Sequence, residues 1–75
     1  MKLHLLGKVT EAGNSPTLFG TPETMFGKEV YVLQGWKIID AETLAGLRLP
    51  DDEAVIAVPK ALMQYLPEED RGAAD

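Results

Sequence analysis

His4 and Ser15 are the chain's single histidine and single serine, eleven residues apart. They are the one pair of side chains that could make a base-activated nucleophile. Ser15 precedes Pro16, and no G-x-S-x-G elbow frames it, so it lacks the strained strand-to-helix turn that exposes a hydrolase serine. A strand histidine and a turn serine are the simpler reading. Metal chemistry is narrower still. With one histidine and no cysteine, a tetrahedral zinc site cannot be assembled within one chain. Asp51-Asp52-Glu53 is rich in oxygen ligands but lacks the alternating ligands and central glycine of a calcium loop. Carboxylates for acid–base work occur only as adjacent surface residues, with no apolar setting to push their pKa values apart. Gly13-Asn14-Ser15-Pro16 has no Walker lysine, and Pro16 removes a donor. So short a chain is also expected to enclose no pocket of the usual volume, roughly 300 Å³ or more. The expectation is a non-enzyme: no catalytic residue, no metal, no cofactor.

Size and charge narrow the remaining functions. A chain of 75 residues is one domain at most, and it buries only roughly 60% of the surface it exposes when unfolded. Without cysteine no disulfide can staple it, so apolar packing or self-association must hold it. The apolar share of 45% is that of a folded protein. The net charge of −5 is uneven. Residues 1–39 carry four lysines against three glutamates, a balance of +1. Residues 40–75 carry three cations against nine acids, a balance of −6. Such an acidic half repels phosphate backbones, which argues against nucleic acid and fits a basic protein partner better. The apolar start, Leu3-His4-Leu5-Leu6, is broken by His4, Gly7 and Lys8, so neither a signal peptide nor a membrane span is expected. The cytoplasm is the expected location.

The elements that would position any site are short. Residues 2–10 predict a first strand with Leu3, Leu5 and Val9 facing inward, weakened by Gly7. Residues 11–16 are turn chemistry, and 17–20 a short strand. Residues 21–27 read as a flexible connection. Lys28–Gln34 is the strongest strand, rich in β-branched and aromatic residues, and paired back on 17–20 it forms a hairpin whose loop holds Met25 and Phe26. After Gly35, residues 36–39 continue it past a bulge or bend. Residues 40–47 predict a helix capped by Asp40, with Ile39 packing on Leu44 and with Leu44 and Leu47 buried. Residues 53–58 predict a strand covered on both faces. Pro59 fits the first helical position, and Leu62, Met63 and Leu66 form the inner stripe of the helix it starts. Residues 1–67 are thus a single α+β domain, and 68–75 a disordered acidic tail. The expected fold is a small antiparallel sheet of three to four strands with two short helices on one face.

Four side chains are candidates for contact with a partner. Trp36, the only tryptophan, is either the main core residue under the helices or a binding anchor. Tyr31, Phe26 and Met25 are the alternatives. At an exposed loop tip the Met-Phe pair would be a contact patch; folded back, it would only seal the core.

Ser15-Pro16-Thr17-Leu18, Val30-Tyr31-Val32-Leu33-Gln34-Gly35-Trp36-Lys37-Ile38-Ile39-Asp40, Leu49–Val55 and Val58-Pro59-Lys60 resemble a group of short, acidic, uncharacterised actinobacterial proteins. The Val/Leu-Gln-Gly-Trp-Lys run is the most specific element. The resemblance implies a place beside helix-turn-helix regulators, with a transcriptional regulator as partner, and brings no catalytic residue. Val55–Leu62 with Leu66 is similar to the strand–Pro–helix stretch of AbrB-like DNA-binding hairpin dimers, which sets the alternative reading. The expected function is a small regulatory protein-interaction module. Exposed strand edges in so small a sheet also favour a homodimer.

Overall fold

The computed structural model describes residues 1–71. In chain order they form β1 (His4–Lys8), β2 (Thr17–Gly20), β3 (Thr24–Met25), β4 (Lys28–Glu29), β5 (Val32–Gln34), β6 (Trp36–Lys37), α1 (Ala41–Ala45), β7 (Ile56–Ala57) and two 3-10 helices, Lys60–Tyr65 and Glu68–Asp70. The fold is α+β, built on small antiparallel sheets. β2 lies between β1 and β5 in a three-stranded sheet, while β3–β4 and β6–β7 form separate two-stranded ribbons.

A tight turn sets the register of the N-terminal part. Glu11 and Asn14 exchange backbone hydrogen bonds of 2.9 and 2.8 Å, and the two residues between them, Ala12 and Gly13, both have positive φ. That is a type I′ turn, whose twist matches the strands it joins. It brings Lys8 opposite Thr17, Gly7 opposite Leu18 and Leu5 opposite Phe19, with the register shifting at Leu6. This bulge corrects the expected orientation of the first strand. One extra residue turns Leu5 to the other face, so Leu5 is 57% exposed, and Leu3 is exposed as well.

Next to the bulge, β1 meets the other end of the chain. A Cβ placed on Gly7 would overlap the Tyr65 ring, so the glycine is the seat on which the first 3-10 helix rests. That helix packs on β1 and β2, and it brings Leu62 onto the sheet. Leu18 and Leu62 are the fully buried hydrophobic side chains among the described residues. Thr17 is also buried, its hydroxyl donating to the Ser15 carbonyl at 2.7 Å. Burying a leucine contributes roughly 1.5–3 kcal/mol, so a core with two of them is thin.

The remaining elements are shorter than the sequence predicts. Lys28–Gln34 is not one strand: β4 pairs with β3, the chain crosses at Val30-Tyr31, and only β5 pairs with β2. The run at 53–58 is not a strand covered on both faces: only Ile56–Ala57 pairs, with Lys37 and Trp36, and both these residues are exposed, while Val55 and Val58 are half-buried. Gly35 permits this crossing, since a Cβ there would lie 2.5 Å from the Ala57 carbonyl oxygen. Asp40 caps α1 as expected, accepting from the Thr43 N–H at 2.8 Å, yet α1 buries no residue. Ile39 is 79% exposed and Leu47 is exposed too, so the expected packing of Ile39 and the buried Leu44–Leu47 stripe do not form. The second helix is 3-10 and starts after Pro59. Order continues past 67, because Glu68–Asp70 form a further turn; residues 72–75 of the expected tail lie outside the described residues.

Candidate functional site

The β3–β4 ribbon is closed by two residues. Met25 pairs with Lys28, leaving Phe26 and Gly27 as the central pair of the turn, with φ of 51° and 76°. Both signs are positive, as a second type I′ turn requires. The first of these positions ordinarily goes to Asn, Asp or Gly, because an L-residue with a large side chain meets its own backbone there. Phe26 accepts that strain and still packs on nothing: it is 89% exposed. Met25 beside it is 47% exposed. The loop is therefore a projecting tip and does not seal the core. A strained residue presented to solvent points to use rather than packing.

The root of this ribbon forms one wall of an open cleft of about 560 Å³. Its lining includes His4, Glu23, Glu29, Tyr31, Glu69 and Asp70. Three separate segments meet there and leave it open to solvent. Several ties hold them. The Lys2 N–H donates to Glu23 at 2.6 Å. The Tyr31 hydroxyl donates to Asp70, joining the strand crossing to the second 3-10 helix, and Arg71 donates to the Leu66 carbonyl at 3.3 Å.

The electrostatics of the cleft are acidic, with four carboxylates around one imidazole. The hydrogen bond to Asp70 pushes the Tyr31 phenol up to about 12, helped by desolvation and by the charges of Asp70, Glu69 and Glu29. Such a phenol is held as a neutral donor and is a poor proton acceptor near neutrality. Every ionisable lining residue is exposed, unlike the buried settings in which catalytic acids and bases are held. No group of three or more His, Asp or Glu is placed to hold a metal ion among the described residues. What this lining does best is attract cations.

His4 and Ser15 are not brought together. His4 pairs with Gly20, at the opposite end of the ladder from Thr17, which separates it from Ser15 by on the order of 15 Å of strand. The Ser15 carbonyl instead accepts from Thr17 and Gln34, a turn role. Trp36 sits on β6, 37% exposed, bordering a small hollow of about 70 Å³ with Pro16 and Gln34. It is not the main core residue; Leu18 and Leu62 are. Tyr31 is 37% exposed and spans the cleft. Of the four contact candidates, Met25 and Phe26 share the tip, and Tyr31 and Trp36 lie apart from it on the body.

Glu23, Glu29, Glu69 and Asp70 are cleft residues that sequence patterns do not single out. The tip does carry a signal, since Phe26-Gly27 flanked by short strand-forming pairs has the length of a two-residue hairpin. The convergence of the carboxylates had no local signal. Among the described residues no helix is long and apolar enough to cross a membrane. No family model, curated protein or solved structure matches the chain.

Proposed function

We propose that this chain is a small non-catalytic interaction module of the cytoplasm that acts in regulation by binding another protein. The observation that carries this reading is Phe26, 89% exposed and held at positive φ on the tip of its ribbon. An aromatic ring displayed in this way enters a partner's apolar pocket at little entropic cost, since the turn already fixes it. The acidic cleft at the ribbon root supplies the second element of recognition. Lys or Arg side chains beside the partner's pocket would meet Glu23, Glu29, Glu69 and Asp70, which steers encounter more than it adds affinity. Tyr31 and Trp36 are secondary contacts on the body. Charge also favours a protein over a duplex: a chain at −5 has little to offer a phosphate backbone.

The test is affinity capture from the native host with the wild type and with Phe26→Ala. A protein retained by the wild type and released by the folded variant supports the reading. Capture of the same proteins by both removes Phe26 from it. Tight binding to duplex DNA that weakens steeply with salt would favour the AbrB-like alternative instead.

A further inference from the structure

The two ends of the β3–β4 ribbon differ in chemistry. Residues 24–28 hold two exposed apolar side chains, Met25 and Phe26, one exposed cation, Lys28, and no acid. Three residues back from Phe26, by roughly 10 Å of strand, lies the cleft. Its half-buried Leu6, Val30 and Pro67 sit among the carboxylates of Glu23, Glu29, Glu69 and Asp70. An apolar, cationic tip is thus held a short fixed distance from an apolar, acidic hollow. The tip does not fill its own hollow: the ribbon root is one of the walls, and Phe26 stands 89% exposed at the far end.

We infer that the tip of each copy enters the cleft of a second copy, so that two antiparallel ribbons exchange tips across a two-fold axis. This rests on the reading of the tip as a contact element and names the molecule it contacts. Charge is the first argument. Lys28 comes to a hollow lined by four carboxylates and by no lysine or arginine, an arrangement that steers and orients the encounter. Space is the second. The hollow of about 560 Å³ has the size of sites that accept small molecules, roughly 300–1,000 Å³, and its open mouth admits Met25 and Phe26 without moving the walls. There the ring meets Leu6, Val30 and Pro67. Symmetry is the third. A two-fold contact requires that where one residue meets another, the reverse pair also meets. Two ribbons laid antiparallel fulfil this, because the same ~10 Å separates tip from root in both. A foreign partner must supply an apolar hollow with a cation beside it; a second copy already has both.

The experiment uses the full chain. Sedimentation over a concentration series up to about 1 mM is expected to show the 8.2 kDa chain passing into a species of twice that mass, which dissociates as salt is added. Mixed labelled and unlabelled chain is expected to give intermolecular NOEs from the Phe26 ring to the Leu6 and Val30 methyls. Phe26→Asn, which suits the turn, is expected to weaken association at least about 30-fold. Lys28→Glu and Glu69→Lys should each weaken it alone. An equimolar mixture of those two variants should recover it, because each tip then meets the opposite charge in the other's cleft. A chain that stays at 8.2 kDa throughout overturns the inference. So does a dimer that Phe26→Asn leaves intact, one whose intermolecular NOEs lie elsewhere, or a mixture no tighter than its parts. Failure here is distinct from failure of the interaction reading: a monomer that captures a different protein through Phe26 keeps that reading and ends this one. On dilution the copies separate, and the effect of Phe26→Asn on the ribbon itself is then read free of association.

Discussion

Replacing Phe26 by asparagine sets stability against binding in a way no packing role would. Position 26 carries φ of 51°, a region that costs an ordinary L-residue roughly 1–2 kcal/mol. Asparagine tolerates that region, and Asn-Gly is the favoured central pair of a type I′ turn. The ring being removed is 89% exposed, so little packing is lost with it. We expect a net gain of about 0.5–1 kcal/mol, within the strain just described. Because the ribbon is a local element, its opening is read best by amide hydrogen exchange. Protection across β3 and β4 should rise about 2–5-fold, with the melting temperature unchanged or higher. Partner affinity should fall at least about 30-fold, as for a displaced hot spot. A variant that exchanges faster or melts lower would mean that the ring packs on the body. A variant that is stabilised and still binds fully would mean that the tip is not the contact. Either result refutes the reasoning.

Other perturbations test the thin core and its ties. Leu62→Ala should cost about 2–5 kcal/mol against a total of about 3–5 for so small a core, leaving much of the chain unfolded at 25 °C by circular dichroism; a cooperative native-like melt would contradict this. Gly7→Ala should destabilise through the Tyr65 ring, and combining it with Tyr65→Ala should cost less than the sum of the two, by a coupling of about 0.5–3 kcal/mol in chemical denaturation. Tyr31 should titrate near 12 and not near 10, followed at 295 nm in a Tyr65→Phe background. Its pKa is raised on folding, so the bond to Asp70 stabilises fully below pH 10 and is lost as the pH climbs towards 12. Release of the Glu68–Asp70 turn over that window should accompany it; a midpoint near 10 would contradict the bond.

What was legible in the sequence was what is decided locally. Asp40 caps its helix because the carboxylate and the Thr43 N–H are three residues apart. Pro59 opens the next helix, and β2 pairs with β5 because both are apolar runs bounded by turns. What was not legible depends on residues far apart in the chain. Tyr65 rests on Gly7 from the far end of the chain, and without the bulge at Leu6 Leu5 would have pointed inward as its spacing suggests. Glu68–Asp70 reads as solvated tail until Tyr31 supplies a partner. The strand at 28–34 has uniform β-propensity, yet it serves two sheets, and propensity carries no information on where pairing changes. Phe26 is a different case. The sequence places it in a hairpin loop, but its residue type opposes the turn position it occupies, so preference rules alone could not decide between a projecting tip and one folded back on the core. Such a conflict between local preference and observed conformation is where function is expected.

The most direct measurement is photo-crosslinking in the native host, with a benzophenone amino acid at position 26 and, as control, at the exposed Leu47. The account predicts a discrete covalent adduct with another protein from position 26 and none of that mass from position 47. No adduct at 26, or the same adducts from both positions, would contradict the claim that the ribbon tip is what this protein offers.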